Sequence, residues 1–137
     1  KMPLLTLVTN VPKEDVPEDF DDKIIQAVAD AFNKPERAVV LELVAGAHIV
    51  RGGADKHVKA AHLMVAAGTV VLNAEHNRGY ASKITEAVEK LLKINKDHIL
   101  ITFHGLEAAN VAAKGETFQH ILYAHKMEVE SNGEQED

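Results

Sequence analysis

The feature that most constrains the fold is an internal repeat with a spacing of 60 residues. Lys23 and Ile24 recur as Lys83 and Ile84, and the register continues from there without a gap. The other matched segments are Ala27-Val28 with Ala87-Val88, Ala31-Phe32 with Leu91-Leu92, Pro35-Glu36-Arg37 with Asn95-Lys96-Asp97, and Val39-Val40-Leu41 with Ile99-Leu100-Ile101. Each copy has the pattern of a helix followed by a turn and a strand, so we expect two similar units side by side.

Each repeat also has an apolar strand before its helix. The predicted elements are strand Leu4–Val8, helix Pro17–Phe32 and strand Ala38–Val44, then strand Ala60–Ala67, helix Arg78–Lys93 and strand His98–Phe103. Apolar residues recur on one stripe of both helices, with a period of about 3.6 residues. Asn33 is expected to end the first helix in a left-handed conformation. Two βαβ units predict an α/β fold: a four-stranded sheet with two helices on one face.

The second face of this sheet lacks a cover. The strands at 38–44 and 98–103 are nearly continuous apolar runs, so they present apolar side chains to both faces. The body of the chain supplies helices for only one face, and another copy of the chain is the natural cover for the other. The pattern therefore predicts an oligomer, but it does not separate a dimer of ferredoxin-like units from a ring.

Composition excludes several classes of function. The 137 residues are enough for one core domain, and the net charge of -6 argues against a nucleic-acid partner. There is no cysteine, which excludes disulfides and thiolate chemistry. No apolar run reaches the ~18–20 residues that membrane insertion requires, and the first residues lack the pattern of a classical signal peptide.

The eight histidines do not indicate a metal site. None lies in a recognised ligand motif, and the pairs His57/His62 and His120/His125 are five residues apart, a poor fit to one helical face. No glycine-rich phosphate loop is present either. We therefore expect neither a metal nor a cofactor.

Pro3 has two interpretations. It is a simple strand-start proline, or it is the first residue of the processed chain, because an initiator methionine before proline is usually removed. In the second case it carries a free secondary amine, whose reference pKa is about 7.7–8.0. Apolar burial and a nearby cation, for which Lys34 is the candidate, lower that pKa toward the range of a general base.

Several separated motifs resemble one family. They are Met2-Pro3, Thr9-Asn10-Val11-Pro12, Val16-Pro17-Glu18-Asp19-Phe20, Asn33-Lys34-Pro35-Glu36, Arg51-Gly52-Gly53, Asn77-Arg78-Gly79-Tyr80, Ala109-Asn110-Val111 and Thr117-Phe118. In this order and spacing the chain resembles the macrophage migration inhibitory factor and D-dopachrome tautomerase family. The resemblance implies a MIF-like tautomerase domain over residues 2–118, with repeat halves at about 3–53 and 60–118.

The family resemblance implies a homotrimer whose sheets surround a channel, with active sites between subunits. Short strands around His48–Arg51 and Ala109–Ala112 would extend the sheets of neighbouring subunits. The implied activity is keto–enol tautomerisation of a small aromatic substrate, phenylpyruvate-like or dopachrome-like, with Pro3 as catalytic base. The implied substrate-binding residues are Lys34, Ala67, Leu100, Thr102, Val111, Ala113 and Phe118. The resemblance also implies a cytokine-like ligand for a cell-surface receptor, located in the cytoplasm or secreted without a signal peptide.

The chain departs from the family pattern in its pocket. Ala38, Leu100 and Ala113 stand where the best-known vertebrate member has aromatic residues, which widens the pocket and removes stacking contacts. We expect weak activity or a different preferred substrate. The alternatives are a non-enzymatic signalling ligand with a vestigial pocket and, outside the family, a ferredoxin-like binding module.

The two ends of the chain carry separate expectations. Lys1 and Met2 make the nitrogen of Pro3 an amide, so we interpret them as a cloning remnant that blocks catalysis. Residues 119–137 form an acidic C-terminal extension. We expect a short helix over Gln119–Met127 and disorder from about residue 127.

Overall fold

The computed structural model describes residues 3–53 and 56–136, and the chain divides into two compact units, Lys1–Gly105 and Leu106–Asp137. The longer elements are β1 (Leu4–Thr9), α1 (Phe20–Phe32), β2 (Val40–Val44), β3 (Ala61–Gly68), α2 (Ala74–Leu92) and β4 (Ile99–Leu106). The strands form one sheet in the order β2-β1-β3-β4, with β1 parallel to β2 and antiparallel to β3. The expected duplicated α/β architecture is confirmed.

The core lies between the sheet and the two repeated helices. Leu5 and Leu7 alternate with more exposed neighbours along β1, and the same alternation runs along β3. Ile24 of α1 and Ile84 of α2 are equivalent residues of the two repeats, and both are fully buried in this core. One face of each helix and one face of the sheet are therefore removed from water, which provides the main stabilisation of this unit.

The opposite face of the sheet is open. The register pairs Leu4 with Val40, so the even-numbered residues of β1 and β2 share this face. Val40, Val44 and Leu100 are exposed by 54%, 42% and 57%. We name this surface, formed by the residues of the four strands that point away from the helices, the open face.

Local hydrogen bonds decide where the helices begin and end. The α2 helix begins at Ala74, four residues before the predicted start, because the Asn73 side chain accepts a hydrogen bond from the His76 N–H at 2.7 Å. The α1 helix begins at Phe20 rather than at Pro17. Its predicted end is confirmed, since Asn33 adopts the left-handed conformation with φ 53°.

A polar clamp joins the end of β1 to the segment that precedes β3. The Thr9 hydroxyl donates to the Ala60 carbonyl at 2.8 Å, and the Ala60 N–H donates to Asn10 Oδ1 at 2.8 Å. The Asn10 side-chain amide donates to the Val58 carbonyl at 2.8 Å. These bonds span about fifty residues of sequence, so the clamp fixes where β3 begins beside β1.

The second unit contains a small hairpin and a helix. Strands β5 (Ala112–Ala113) and β6 (Glu116–Thr117) pair antiparallel, and Lys114 and Gly115 between them both have positive φ, as a two-residue hairpin turn requires. The short strand expected at 109–112 therefore starts later and pairs within its own chain. The described residues 48–51 form no strand, in contrast to the expectation for that segment.

The α3 helix (Phe118–Glu136) is longer than we expected. The sequence indicated a helix to about residue 127 followed by disorder, whereas the structure continues the helix to Glu136. Residues 128–136 contain four glutamates and one glutamine, and both residue types favour helix. Residues 119–133 are exposed throughout.

Removing the polar clamp should destabilise the protein. We expect Asn10→Ala to lower the free energy of unfolding by about 1–3 kcal/mol, since it leaves the Ala60 N–H and the Val58 carbonyl without their partner. Urea denaturation followed by circular dichroism measures the change. Gln26→Ala, an exposed substitution on α1, is the control and should shift stability by less than about 0.5 kcal/mol. Equal stabilities of the two variants would contradict the role of the clamp.

Candidate active site

Pro3 lies buried directly before β1. Its carbonyl accepts a hydrogen bond from the Val40 N–H at 3.1 Å, which ties it to the start of β2. The register of β1 with β3 pairs Leu4 with Ala66, so one further step places Pro3 opposite Ala67. Ala67 is fully buried. Two of the predicted site residues therefore lie together on the central pair of strands.

Four chain segments meet at this end of the sheet. The parallel strands β1 and β2 both begin here, and the antiparallel strand β3 ends here at Gly68. Gly105 of β4 lies against Thr69, because a Cβ atom on Gly105 would come within 3.0 Å of the Thr69 methyl group. We name this region, defined by Pro3, Ala67 and the start of β2, the proline end of the sheet.

Lys34 lies in the connection that leads to the proline end. It follows the left-handed Asn33, and its N–H donates to the Ala29 carbonyl at 2.9 Å, which closes the last turn of α1. Six residues later the chain enters β2 at Val40, beside Leu4. The backbone of Lys34 is thus fixed, whereas the residue itself is exposed and presents its ammonium group to solvent.

Leu100 and Thr102 lie on a different face from Pro3. Ile101 and Phe103 of β4 pack against the core, so Leu100 and Thr102 point to the open face. The Thr102 hydroxyl is 2.8 Å from Nε2 of His104 on the same face. Pro3 instead continues the alternation of Leu5 and Leu7 toward the helices. The described part of one chain therefore does not bring these β4 residues beside Pro3.

The remaining predicted site residues belong to the second unit. The Val111 carbonyl accepts a hydrogen bond from the Phe118 N–H at 2.8 Å, which closes the hairpin onto the first residue of α3. Ala113 is exposed in β5, and Phe118 is half-buried.

Tyr80 of α2 was not among the predicted site residues, although it makes several contacts within the first unit. Its ring stacks on Phe32 with centroids 3.9 Å apart, and it lies 6.3 Å from the ring of Phe103. Its hydroxyl donates to the Val71 carbonyl at 2.8 Å. Burial raises the pKa of this phenol above its usual value. The motif Asn77-Arg78-Gly79-Tyr80 was the signal that could have identified it.

A shallow cavity lies beside this tyrosine. It has a volume of about 350 Å³ and is lined by residues at the end of α1 and the start of α2, among them Phe32, His76, Tyr80 and Lys83. None of the predicted substrate-binding residues lines this cavity.

No group of three or more histidine, aspartate or glutamate side chains in the described ranges 3–53 and 56–136 is arranged to hold a metal ion. Over the same described residues, no helix has both the length and the hydropathy needed to cross a membrane.

The raised pKa of Tyr80 predicts an alkaline effect on stability. In a Tyr123→Phe variant Tyr80 is the only tyrosine, so its ionisation can be followed by ultraviolet absorbance. We expect its midpoint to lie above the value of the urea-unfolded protein. Because the folded state then holds the proton more tightly, the free energy of unfolding should fall as pH rises from the unfolded pKa to the folded pKa. Coincident titrations of folded and unfolded protein would contradict this.

The comparisons with known proteins agree with this fold. The family model of macrophage migration inhibitory factor matches residues 2–119. The MIF-like protein mif-2 of Caenorhabditis elegans is 35% identical over 116 residues, which are 85% of this chain and 94% of that protein. The D-dopachrome decarboxylase of Bos taurus is 34% identical over 115 residues, which are 83% of this chain and 95% of that protein.

Solved structures show the same likeness. The macrophage migration inhibitory factor of Trichinella spiralis aligns with a TM-score of 0.74 at 25% identity, over 83% of this chain and 98% of that one. The corresponding protein of Oncomelania hupensis aligns with a TM-score of 0.75 at 23% identity, over 83% of this chain and 95% of that one, and supports the fold alone. The family match, the identity to curated relatives and the shared fold together place the chain: it belongs to the macrophage migration inhibitory factor family.

Proposed function

We propose that the protein is a keto–enol tautomerase whose catalytic base is the secondary amine of Pro3. The observation that carries the proposal is the position of Pro3, which is buried at the proline end, opposite Ala67, with its carbonyl held by the Val40 N–H. The family membership and a relative named D-dopachrome decarboxylase support the same class of reaction.

The environment of Pro3 suits a base that works near neutral pH. An unperturbed α-amino group has a pKa of about 7.7–8.0. Burial disfavours the charged ammonium and lowers that value, so a larger fraction of the amine is neutral and able to accept a proton. The proposal requires Pro3 to be the first residue, because an amide nitrogen joined to Met2 has no basic lone pair.

In the proposed reaction the neutral amine takes a proton from the carbon next to the substrate carbonyl. The electron pair of the C–H bond becomes the carbon–carbon double bond, and the carbonyl π pair moves to oxygen. The prolyl ammonium then returns a proton to that oxygen, which gives the enol. Lys34 binds the substrate carboxylate or stabilises the negative oxygen by charge.

The substrate class follows from the pocket that the family pattern implies. The proposed substrate is a small aromatic keto or enol acid, in contact with the Ala67 backbone and lined by Leu100, Thr102, Val111, Ala113 and Phe118. Leu100 and Ala113 offer no aromatic face, so Phe118 is the one proposed lining residue that can stack on a substrate ring. We propose low activity on phenylpyruvate and dopachrome-type substrates compared with a member whose pocket is aromatic.

The proposed assembly is a homotrimer. Exposed apolar residues on the open face, Val40, Val44 and Leu100, support a second copy as its cover. A site between subunits would also explain why Leu100 and Thr102 do not lie beside Pro3 of their own chain.

The second candidate function is a cytokine-like ligand, outside the cell, that binds a receptor and retains only a vestigial pocket. The observation that favours it is the exposure of Leu100 by 57% at a position without an aromatic wall. If the protein has this function, receptor binding should survive the substitution Pro3→Gly. The function is also compatible with a cytoplasmic pool of the same protein.

The first prediction of this proposal concerns the chain start. A preparation beginning at Pro3 should tautomerise phenylpyruvate, whereas one beginning at Lys1 should be slower by about 10²–10⁴-fold, the usual contribution of a general base. Equal rates from both preparations would exclude the prolyl base, and absence of turnover in both, with light scattering showing a trimer, would favour the ligand function.

The second prediction concerns Lys34. We expect Lys34→Ala to lower kcat/KM by about 10–10²-fold, because a hydrogen bond to a charged group contributes about 1.5–3 kcal/mol. Lys34→Arg keeps the charge and should retain more activity. Lys90→Ala removes an exposed cation from α2 and should leave kcat/KM unchanged. A similar effect of the Lys34 and Lys90 substitutions would mean that overall charge, not a contact of Lys34, controls the rate.

A further inference from the structure

Tyr80 makes two different contacts with other segments of the chain. Its ring contacts Phe32, the last residue of α1, and its hydroxyl contacts the chain just after β3. Both contacts lie within the first unit. The two contacts use different atoms of one side chain, so substitutions can separate them.

The ring contact bears on Lys34. The rings of Phe32 and Tyr80 are nearly parallel, with an interplanar angle of 17° and centroids 3.9 Å apart. Such a pair stabilises the packing of the two helices beyond the area it buries. Lys34 is only two residues from Phe32, and hydrogen bonds to the last turn of α1 fix the chain between them. A shift of the stacked rings would therefore also shift the backbone of Lys34.

The hydroxyl contact bears on Ala67. The Val71 carbonyl accepts the Tyr80 O–H at 2.8 Å, and the Val71 N–H donates to the Gly68 carbonyl at 3.1 Å. This turn directly follows Ala67, the residue opposite Pro3. Apart from Tyr80, the Val71 carbonyl has one weaker neighbour, Nδ1 of His76 at 3.4 Å. Of these two α2 side chains, the Tyr80 phenol is the nearer to the Val71 carbonyl.

We propose that Tyr80 is a positioning residue of the tautomerase site: it holds Lys34, through Phe32, and the turn after Ala67, through Val71, at a fixed separation from each other. This inference rests on the proposed function, since it assigns a role within the same reaction. A cation and a backbone segment that must meet one small substrate need such a constraint, because a displacement of about 1 Å can cost up to about 10²-fold in rate.

Three variants test the two contacts, in protein that begins at Pro3. Tyr80→Phe removes only the hydroxyl, Phe32→Leu removes only the stack, and Tyr80→Leu removes both. We expect kcat/KM for phenylpyruvate to fall about threefold to tenfold in the first two and further in the third, with circular dichroism showing folded protein at the assay temperature. Tyr123→Phe, at the other tyrosine, should leave kcat/KM unchanged.

The decisive readout is the coupling to Lys34. If Tyr80 positions Lys34, then Lys34→Ala should cost less in the Phe32→Leu and Tyr80→Leu backgrounds than in the wild type, because Lys34 is already displaced. If Tyr80 has a purely structural role, the fold-changes in kcat/KM of the single substitutions should multiply in the double variants. Turnover by the wild type with multiplicative effects would overturn this inference alone, while a wild type without turnover would overturn the proposed function and this inference with it. Tyr80→Phe and Phe32→Leu keep the test valid if Tyr80→Leu does not fold.

Discussion

Burial of one face of the sheet beneath two equivalent helices is the constraint on which the rest of the structure depends. Ile24 and Ile84 lie at matching positions of the repeat, and both are completely buried against the same layer. Because both helices cover the same face, the side chains of β1 and β3 alternate strictly between a buried and an open environment. A shift of one residue in either strand would reverse that alternation and expose the core, so the register is tightly specified.

That register determines the environment of Pro3. The residue has the parity of Leu5 and Leu7, so it lies on the buried side of the sheet rather than on the open face. A proline suits this place because it begins the strand, where no N–H is needed for the ladder, and its carbonyl still pairs with Val40. The same packing that stabilises the unit thus buries Pro3, and this burial would lower the pKa of the proposed amine base.

The parts of the structure that the sequence predicted are those set by local pattern. The repeat predicted both helices and all four strands of the sheet, and Asn33 predicted a left-handed helix end, since each depends on residues close in sequence. The earlier start of α2 depends on the Asn73 side chain, and the stack of Tyr80 on Phe32 joins two helices. Leu100 and Pro3 lie on different faces of the sheet because side chains alternate between the two faces along each strand. A search for family motifs does not reveal this alternation.

The number and position of the aromatic residues affect how the proposed site could bind a substrate. The chain has only four phenylalanines and two tyrosines, and Phe32, Tyr80 and Phe103 form one cluster. Among the proposed lining residues only Phe118 is aromatic, whereas Ala67, Leu100 and Ala113 have small or aliphatic side chains. The proposed pocket would therefore gain less from stacking on a substrate ring and would depend more on the charge of Lys34. Selectivity would then favour a substrate with a well-placed carboxylate over one with a large aromatic face.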